Sequence, residues 1–190
     1  NGGRNYCGIN FRDGYVKNQV LDHPVVTPTT KGERDELISA EKIISSGILT
    51  EEKWNFVRDT ALRLFEYGQM VAASKGLILV DTKYEFGYDS NNNIILIDEL
   101  HTCDSSRYWI QSSYQELFNN KKEPRKLDKD AIRDYLKTVC DPYKVEKIPE
   151  IPNEKISSVL SCYLNCHSQL SGNSLNVVSY DSTLNVRDIF

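Results

Sequence analysis

Apolar residues recur at three- and four-residue intervals over the longest patterned segment of the chain, from Glu51 to Ser74. That spacing puts them on one face of a helix. The face consists of Trp54, Val57, Ala61, Leu64, Phe65 and Val71. Thr50 is a suitable N-cap, and Gly76 is a suitable residue to end the helix. We therefore predict a helix over 51–74 whose apolar face lies in the core.

Three shorter segments show the same periodicity. They predict a short helix that follows Ser39 and stops at Gly47, a helix from Asp128 to Val139, and a helix from Asn153 to Leu170. Glycine and proline interrupt residues 1–38, which predicts an irregular connection. The tail, 173–190, alternates polar and apolar residues and leaves strand, arm and disorder all open.

Two strand-like runs lie between the long helix and the next one, at Leu77 to Phe86 and Ile94 to Leu100. An asparagine-rich turn separates them, and asparagine tolerates the positive φ of tight turns. Because side chains alternate along a strand, Asp81, Lys83 and Glu85 are predicted to share one face. Charged groups at the end of an apolar strand need partners or ligands, so this is a candidate site.

The turn also predicts a register for these two runs. A two-residue turn at Asn91 and Asn92 would set Glu85 directly opposite Asp98, with Cβ atoms about 4.5–5.5 Å apart. Two carboxylates that close repel each other unless a proton or cation lies between them. Mg²⁺, which takes a couple of carboxylates plus phosphate oxygens, would satisfy the pair. The pattern therefore predicts a metal site.

An anion-binding pattern follows the second run, where Ser105 and Ser106 precede Arg107. A guanidinium matches phosphate or carboxylate, and the hydroxyls add neutral donors. The charges also have structural alternatives: Asp81 and Lys83 could form a surface pair, and Asp104 and Arg107 an ion pair at the start of a helix. Upstream, the hydroxyl-rich segment 27–31 ends in Lys31 and is either an anion-binding loop or a solvated connection.

Composition narrows the class of protein. With 190 residues, 39% of them hydrophobic and 26% charged, the chain is typical of a soluble globular protein. Its net charge of -4 gives no overall attraction to nucleic acid or anionic membrane. No apolar run approaches the roughly 20 residues of a membrane span. The start has neither an initiator Met nor a signal peptide, and we expect the interior of a longer protein.

Five scattered cysteines predict reduced thiols in a cytosol-like compartment rather than a disulfide framework. Cys162, Cys166 and His167 form the densest group of metal-ligand residue types. Their spacing is unlike that of common zinc pairs, and the chain has no second pair. We therefore expect ordinary helix positions near a core at these residues, and no zinc.

At the two strand-like runs the chain resembles the SAICAR synthetase family of purine biosynthesis. The family's Asp-x-Lys-x-Glu-Phe-Gly strand is matched by Asp81, Lys83, Glu85, Phe86 and Gly87. Its Asp-Glu pair and its Thr-Pro-Asp-Ser-Ser-Arg motif are matched by residues 98–99 and 102–107, with Cys103 in place of the proline. Supporting matches at 27–31, 127–129 and 133–134 keep the family's order, so the resemblance covers roughly residues 4 to 170.

The resemblance implies an ATP-dependent ligase of the cytoplasm. The carboxylate of an aminoimidazole ribonucleotide is phosphorylated, and the amine of L-aspartate displaces the phosphate to form an amide. The implied roles are Mg²⁺ and ATP binding by Glu85 and Asp98, catalysis by Asp81, Lys83 and Arg107, and ribonucleotide binding by these last three with Ser105, Ser106, Thr30 and Lys31. Positioning and charge neutralisation, which such residues supply, account for most catalysis in phosphoryl transfer.

The implied fold is α+β, the C-terminal domain of the family, with a small antiparallel sheet and helices packed on one side. Residues 1–38 would connect from a missing N-terminal ATP-binding lobe, and 39–172 would form the substrate- and metal-binding domain. The open sheet face would then expose apolar surface toward that lobe. The segment 32–35 is shorter than in the family, which leaves that wall of the cleft undetermined.

Two alternatives stay open. A truncated homologue would bind a nucleotide or a partner subunit without turnover. An inositol phosphate kinase relative would use Asp-x-Lys-x-Gly, but Glu85 stands where that glycine belongs. The sequence also leaves the oligomeric state open, a homo-oligomer included.

Overall fold

The computed structural model describes residues 4–32, 35–127, 129–141, 144 and 147–175. Within them the chain forms short antiparallel strands and helices, the predicted α+β class. The strands are β1 (Asn5–Tyr6), β2 (Ile9–Asn10), β3 (Thr29–Thr30), β4 (Glu36–Leu37), β5 (Leu77–Thr82), β6 (Glu85–Tyr88), β7 (Ile94–Ile97) and β8 (Ser106–Ile110). The helices are α1 (Ala40–Ser45), α2 (Glu51–Ser74), α3 (Gln111–Asn119), α4 (Asp130–Val139) and α5 (Asn153–Ser171). The chain divides into two compact units, Asn1–Lys126 and Leu127–Phe190.

The core of the first unit lies between α2 and β5. Helix α2 has the predicted bounds, and the side chain of Thr50 caps it by accepting a hydrogen bond from the Lys53 amide. Its buried positions, Trp54, Ala61, Gly68 and Ala72, fall on one face because they are four or seven residues apart. Leu77 and Leu79 of β5 are fully buried in the same core. The predicted core-facing helix is therefore confirmed.

The first strand-like run is two strands rather than the one predicted. It is divided at Lys83 and Tyr84, so that β5 pairs with β8 and β6 pairs with β7, both antiparallel. The amide of Lys83 donates to the carbonyl of Ser105 at 3.0 Å, which takes the backbone out of the second ladder and toward the first. The predicted single sheet centred on the hairpin is thus two adjoining ladders along the chain.

The predicted register of the hairpin is wrong by one residue. Glu85 pairs with Ile97, not with Asp98. The turn contains three residues, 90–92, because the amide of Asp89 donates to the carbonyl of Asn93 and Asn92 takes the left-handed conformation at φ 64°. A type I turn followed by a left-handed residue is the common three-residue hairpin loop. Asp98 lies just beyond β7, also with positive φ.

The shorter predicted helices are confirmed with small shifts at their ends. Ser39 caps α1 by accepting from the Lys42 amide, and Gly172 ends α5 at φ 75°. Helix α4 begins at Asp130; the predicted start, Asp128, lies outside the described residues, as does 176–190 of the predicted tail. Strands β1 to β4 form two small ladders within the segment predicted to be irregular. Helix α3 and strand β8 were not predicted.

In the second unit α4 and α5 pack on each other. The ammonium of Lys155 lies 5.8 Å from the ring centroid of Tyr135, and Cys166 is buried. All five cysteines are free thiols. Over the described part of the chain, no group of three or more His, Cys, Asp or Glu residues is arranged to hold a metal ion. None of the described helices combines the length and the apolarity needed to cross a bilayer.

Candidate active site

A chain of alternating charges crosses the junction between β5 and β6. Glu85 Oε1 accepts from Lys31 Nζ at 2.6 Å and from Lys83 Nζ at 2.9 Å. Lys83 Nζ also contacts Asp35 Oδ2 at 3.1 Å. Lys31 and Asp35 are the first and last residues between β3 and β4. Each of them forms an ion pair with a residue at the β5–β6 junction. The cluster of Lys31, Asp35, Lys83 and Glu85 is called the ammonium–carboxylate cluster below.

The contacts in this cluster shift the pKa values of Glu85 and Lys83. Hydrogen bonds from Lys31 and then Lys83 lower the pKa of Glu85 to about 2, which keeps the carboxylate ionised. Hydrogen bonds to Glu85 and Asp35 raise the pKa of Lys83, which keeps its ammonium charged. The Glu85 side chain is only 17% exposed, whereas Lys31 is 73% and Lys83 48% exposed. The site therefore presents two fixed cations to solvent around one recessed anion.

A second charge pair follows from the ladder between β5 and β8. Asp81 is paired with Arg107 in the register, and Arg107 Nη1 donates to Asp81 Oδ2 at 2.9 Å. Both side chains are about half exposed, which leaves the guanidinium accessible to a ligand. Asp81 therefore contacts Arg107 across the ladder, and Arg107 lies inside a strand rather than at the start of a helix.

A cluster of hydroxyls follows the Asp81–Arg107 pair along the β5–β8 ladder. The buried Ser106 donates to Thr82 Oγ1 at 2.9 Å, across the β5–β8 ladder. Ser105 Oγ lies 3.3 Å from Ser106 Oγ and 3.3 Å from Thr102 Oγ1. Thr102 Oγ1 accepts from the amides of Asp104 and Ser105, which folds residues 102–106 into a tight loop. This segment, the hydroxyl loop, directly precedes Arg107 in the chain, and within it Ser106 is buried whereas Ser105 is partly exposed.

The structure thus brings together most of the predicted site residues, although not all of them. In the described parts of the chain, neither Thr30 nor Asp98 forms an ion pair or side-chain hydrogen bond with the clusters above. Asp35, Thr82 and Thr102 were missed. Asp35 gives no local signal, because its pairing with Lys83 depends on where the β3–β4 loop lies; Thr102 could have been found from its position at the start of a serine-rich turn.

Exposed apolar side chains lie next to the ammonium–carboxylate cluster. Ile97 is opposite Glu85 and Ile95 is opposite Gly87, so all four positions share one face of the β6–β7 hairpin. Both isoleucines are 41% exposed. A Cβ on Gly87 would come within 3.2 Å of Ile97 Cδ1, so the glycine leaves room for that side chain. Ile95 and Ile97 therefore expose apolar surface on the same face of the hairpin as Glu85.

Fixed cations, an exposed guanidinium and a hydroxyl loop on antiparallel ladders define an α+β protein suited to a ligand that carries phosphate and carboxylate groups. A model of the SAICAR synthetase family matches residues 3–149. The match covers more than half of the chain, and the chain belongs to this family.

Relatives and solved structures agree with that assignment. The phosphoribosylaminoimidazole-succinocarboxamide synthase of Legionella pneumophila (strain Lens) is 48% identical over 182 residues, which are 95% of this chain and 57% of that protein. The chloroplastic synthase of Vigna aconitifolia is 51% identical over 154 residues, 80% of this chain and 45% of that protein. The SAICAR synthase of Saccharomyces cerevisiae complexed with SAICAR superposes with a TM-score of 0.71 at 29% identity, covering 90% of this chain and 54% of that one.

The chain spans a little over half the length of the Legionella relative. A further solved structure with a TM-score of 0.59, at 26% identity, is a SAICAR synthetase in complex with ADP. The inositol phosphate kinase alternative is not favoured, because the family model and these relatives are all SAICAR synthetases.

Proposed function

We propose that this chain is the substrate- and metal-binding part of an ATP-dependent ligase that makes SAICAR. The reaction joins L-aspartate to 5-amino-1-(5-phospho-D-ribosyl)imidazole-4-carboxylate through an acyl phosphate. The observation that supports it most is the order along the β5–β8 ladder, where Asp81 pairs with Arg107, Thr82 pairs with Ser106, and the Lys83 amide bonds to the Ser105 carbonyl. The substrate carries a phosphate and a carboxylate, and this arrangement offers two separate cationic positions for them.

The chemistry of the reaction suits these groups. Converting a carboxylate into an acyl phosphate brings several negative charges together, and fixed cations lower the free energy of that arrangement. Lys83 would hold the reacting carboxylate or the transferring phosphoryl group, with its ammonium kept charged by Glu85 and Asp35. Arg107, oriented by Asp81, would hold the ribonucleotide phosphate together with Ser105 and Ser106. Thr30 and Lys31 would line the same cleft.

Glu85 is suited to bind Mg²⁺ because its donor atoms are carboxylate oxygens. It is a recessed carboxylate that stays ionised, and both lysines contact Oε1, so Oε2 is the oxygen we expect to face a cation. Mg²⁺ usually takes one or two carboxylates and completes its shell with phosphate oxygens and water. Asp98 would be the second carboxylate, brought in from the loop after β7 rather than from a facing strand position. Bound Mg²⁺ would neutralise charge on the ATP phosphates.

The proposal extends to the rest of the enzyme and its location. An ATP-binding segment that precedes this chain, or a partner chain that supplies it, would complete the site and cover Ile95 and Ile97. The complete enzyme would act on small-molecule substrates in the cytoplasm; the plant relatives are named as chloroplastic. A homologue that binds without turnover is not favoured, because the family model and the named relatives are all SAICAR synthetases.

Substitutions at the two cations test the proposal in the protein expressed from its full reading frame. We expect Lys83→Ala and Arg107→Ala each to lower ATP-dependent SAICAR formation by at least about a hundredfold. Folding should be unaffected, since half-exposed ion pairs contribute under about 1 kcal/mol. Lys122→Ala and Arg63→Ala are the matched controls on exposed positions. Near-normal turnover in either site variant would refute the role assigned to that residue.

A further inference from the structure

A partly buried aromatic cluster of Tyr84, His101 and Tyr108 adjoins the candidate site along the chain. The hydroxyl of Tyr84 and Nε2 of His101 share a hydrogen bond of 2.5 Å, and their ring centroids are 5.6 Å apart. Tyr108, which is 2% exposed, donates through its hydroxyl to the carbonyl of His101 at 2.7 Å. His101 is therefore held by both its side chain and its backbone.

The imidazole ring also occupies a space that α2 leaves for it. A Cβ on Gly68 would come within 2.4 Å of His101 Cε1 and 2.8 Å of both ring nitrogens. Gly68 is buried and helical, so its lack of a side chain is explained by this close approach rather than by a turn. His101 itself has a positive φ of 55°, an uncommon conformation that the surrounding contacts must hold in place.

These contacts join the two halves of the site. Tyr84 lies between Lys83 and Glu85 in sequence, and His101 immediately precedes Thr102, which begins the hydroxyl loop. The Lys83 amide is hydrogen-bonded to the Ser105 carbonyl at 3.0 Å. The ammonium–carboxylate cluster and the hydroxyl loop are thus tied at two points, one at each end of the loop.

We propose that His101 is a positioning residue that, through Tyr84, Tyr108 and Gly68, fixes the hydroxyl loop relative to Lys83 and Glu85. It does not touch substrate; it sets the distance between the cationic and hydroxyl groups that bind the ribonucleotide. This role rests on the proposed function, because it presupposes that the site binds the ribonucleotide through Lys83 and the hydroxyl loop together. A misplaced loop weakens the binding that depends on both halves and leaves other ligands unaffected.

Tyr84→Phe tests the inference most cleanly, because it removes only the hydroxyl that reaches His101. Tyr114→Phe is a matched control. The half-buried Tyr114 hydroxyl donates to the Asn18 carbonyl at 2.7 Å, and Asn18 is not part of the candidate site. In the protein expressed from its full reading frame, we expect Tyr84→Phe to raise the Kd for the ribonucleotide carboxylate about fivefold. The KM for ATP and the melting temperature should match those of Tyr114→Phe.

Two further variants separate positioning from simple loss of packing. His101→Gln, whose terminal amide can reach the Tyr84 hydroxyl, should restore much of the affinity that His101→Ala loses. Gly68→Ala should displace the ring and raise the same Kd. If Tyr84→Phe and Tyr114→Phe behave alike in an active protein, or if the Tyr84→Phe loss is equal for ATP, the inference is overturned. Absence of turnover in the unmodified protein would instead count against the proposed function.

Discussion

Glu85 is the residue at which the electrostatics of the candidate site converge. Its carboxylate holds Lys31 of the β3–β4 loop and Lys83 of the β5–β6 junction at once. Neither lysine is buried, so each ion pair contributes at most about 1 kcal/mol to the stability of the fold. The larger effect of the pairing is on geometry, since one recessed anion fixes where two exposed ammonium groups lie.

The lowered pKa of Glu85 makes the stability of this arrangement depend on pH. A carboxyl whose pKa falls from 4.5 to about 2 on folding contributes stability above pH 4.5, and that contribution disappears as the pH falls toward 2. We expect Glu85→Gln to have a lower melting temperature than the unmodified protein above pH 4.5. The difference should shrink between pH 4.5 and 2.

Thermal unfolding scanned across that pH range is the measurement. Glu116→Gln, on an exposed position of α3, is the control and should show a small difference that does not vary with pH. Because other carboxylates titrate equally in both proteins, the comparison isolates Glu85. A Glu85→Gln difference that stays constant from pH 7 to 2 would contradict the assigned ion pairs.

At the scale of elements, the β6–β7 hairpin shows how a turn decides which residues meet. Asp89 accepts hydrogen bonds at Oδ1 from the amides of Asn91 and Asn93, at 2.9 and 2.8 Å, and at Oδ2 from the Asn93 side chain. These contacts close the three-residue loop, and the loop length sets the register. The register then places Ile97, rather than Asp98, opposite Glu85.

Removal of the Asp89 carboxylate should therefore loosen this hairpin before it affects the core. We expect Asp89→Ala to destabilise the β6–β7 ladder by about 1 kcal/mol, so that its amides exchange with solvent about fivefold faster. Hydrogen exchange followed by mass spectrometry measures this, with β5 as an internal reference. Ser90→Ala, in the same turn, is the control and should leave exchange near normal. Equal acceleration in β5 and β6 would mean that Asp89 acts on the whole unit.

Some elements of this structure can be predicted from the sequence, and others, such as the register of the hairpin, cannot. Helix α2 is predictable because its cap, period and terminating glycine agree with one another. The residues of the candidate site are predictable as a set, because they follow two apolar runs. Which of these residues pair across the hairpin is not predictable, because one extra residue in the turn moves every cross-strand partner by one position. Strand β8 was missed because only its pairing with β5 makes Ser106–Ile110 a strand.

At the scale of the whole molecule, the chain carries the groups that we propose bind the ribonucleotide, and it spans 57% of the Legionella relative. Lys83, Arg107 and the hydroxyl loop all lie in the unit Asn1–Lys126, together with the exposed Ile95 and Ile97. An ATP-dependent ligase also needs groups that hold the nucleotide from the opposite side, and exposed apolar residues beside a charged site suit such a covering element. Binding and turnover should therefore separate when the 190-residue chain is compared with the product of its full reading frame.

We expect the 190-residue chain, where it folds as judged by circular dichroism, to bind the ribonucleotide carboxylate measurably in calorimetry but to form no SAICAR. The product of the full reading frame should bind the same ligand and form SAICAR when ATP, Mg²⁺ and L-aspartate are supplied. Arg107→Ala in the 190-residue chain is the control, since it should abolish ribonucleotide binding if the groups described above carry it. Turnover by the 190-residue chain alone would show that no further segment is required. Binding without turnover in both proteins would instead favour the non-catalytic homologue, because the cationic groups would then serve recognition and not phosphoryl transfer.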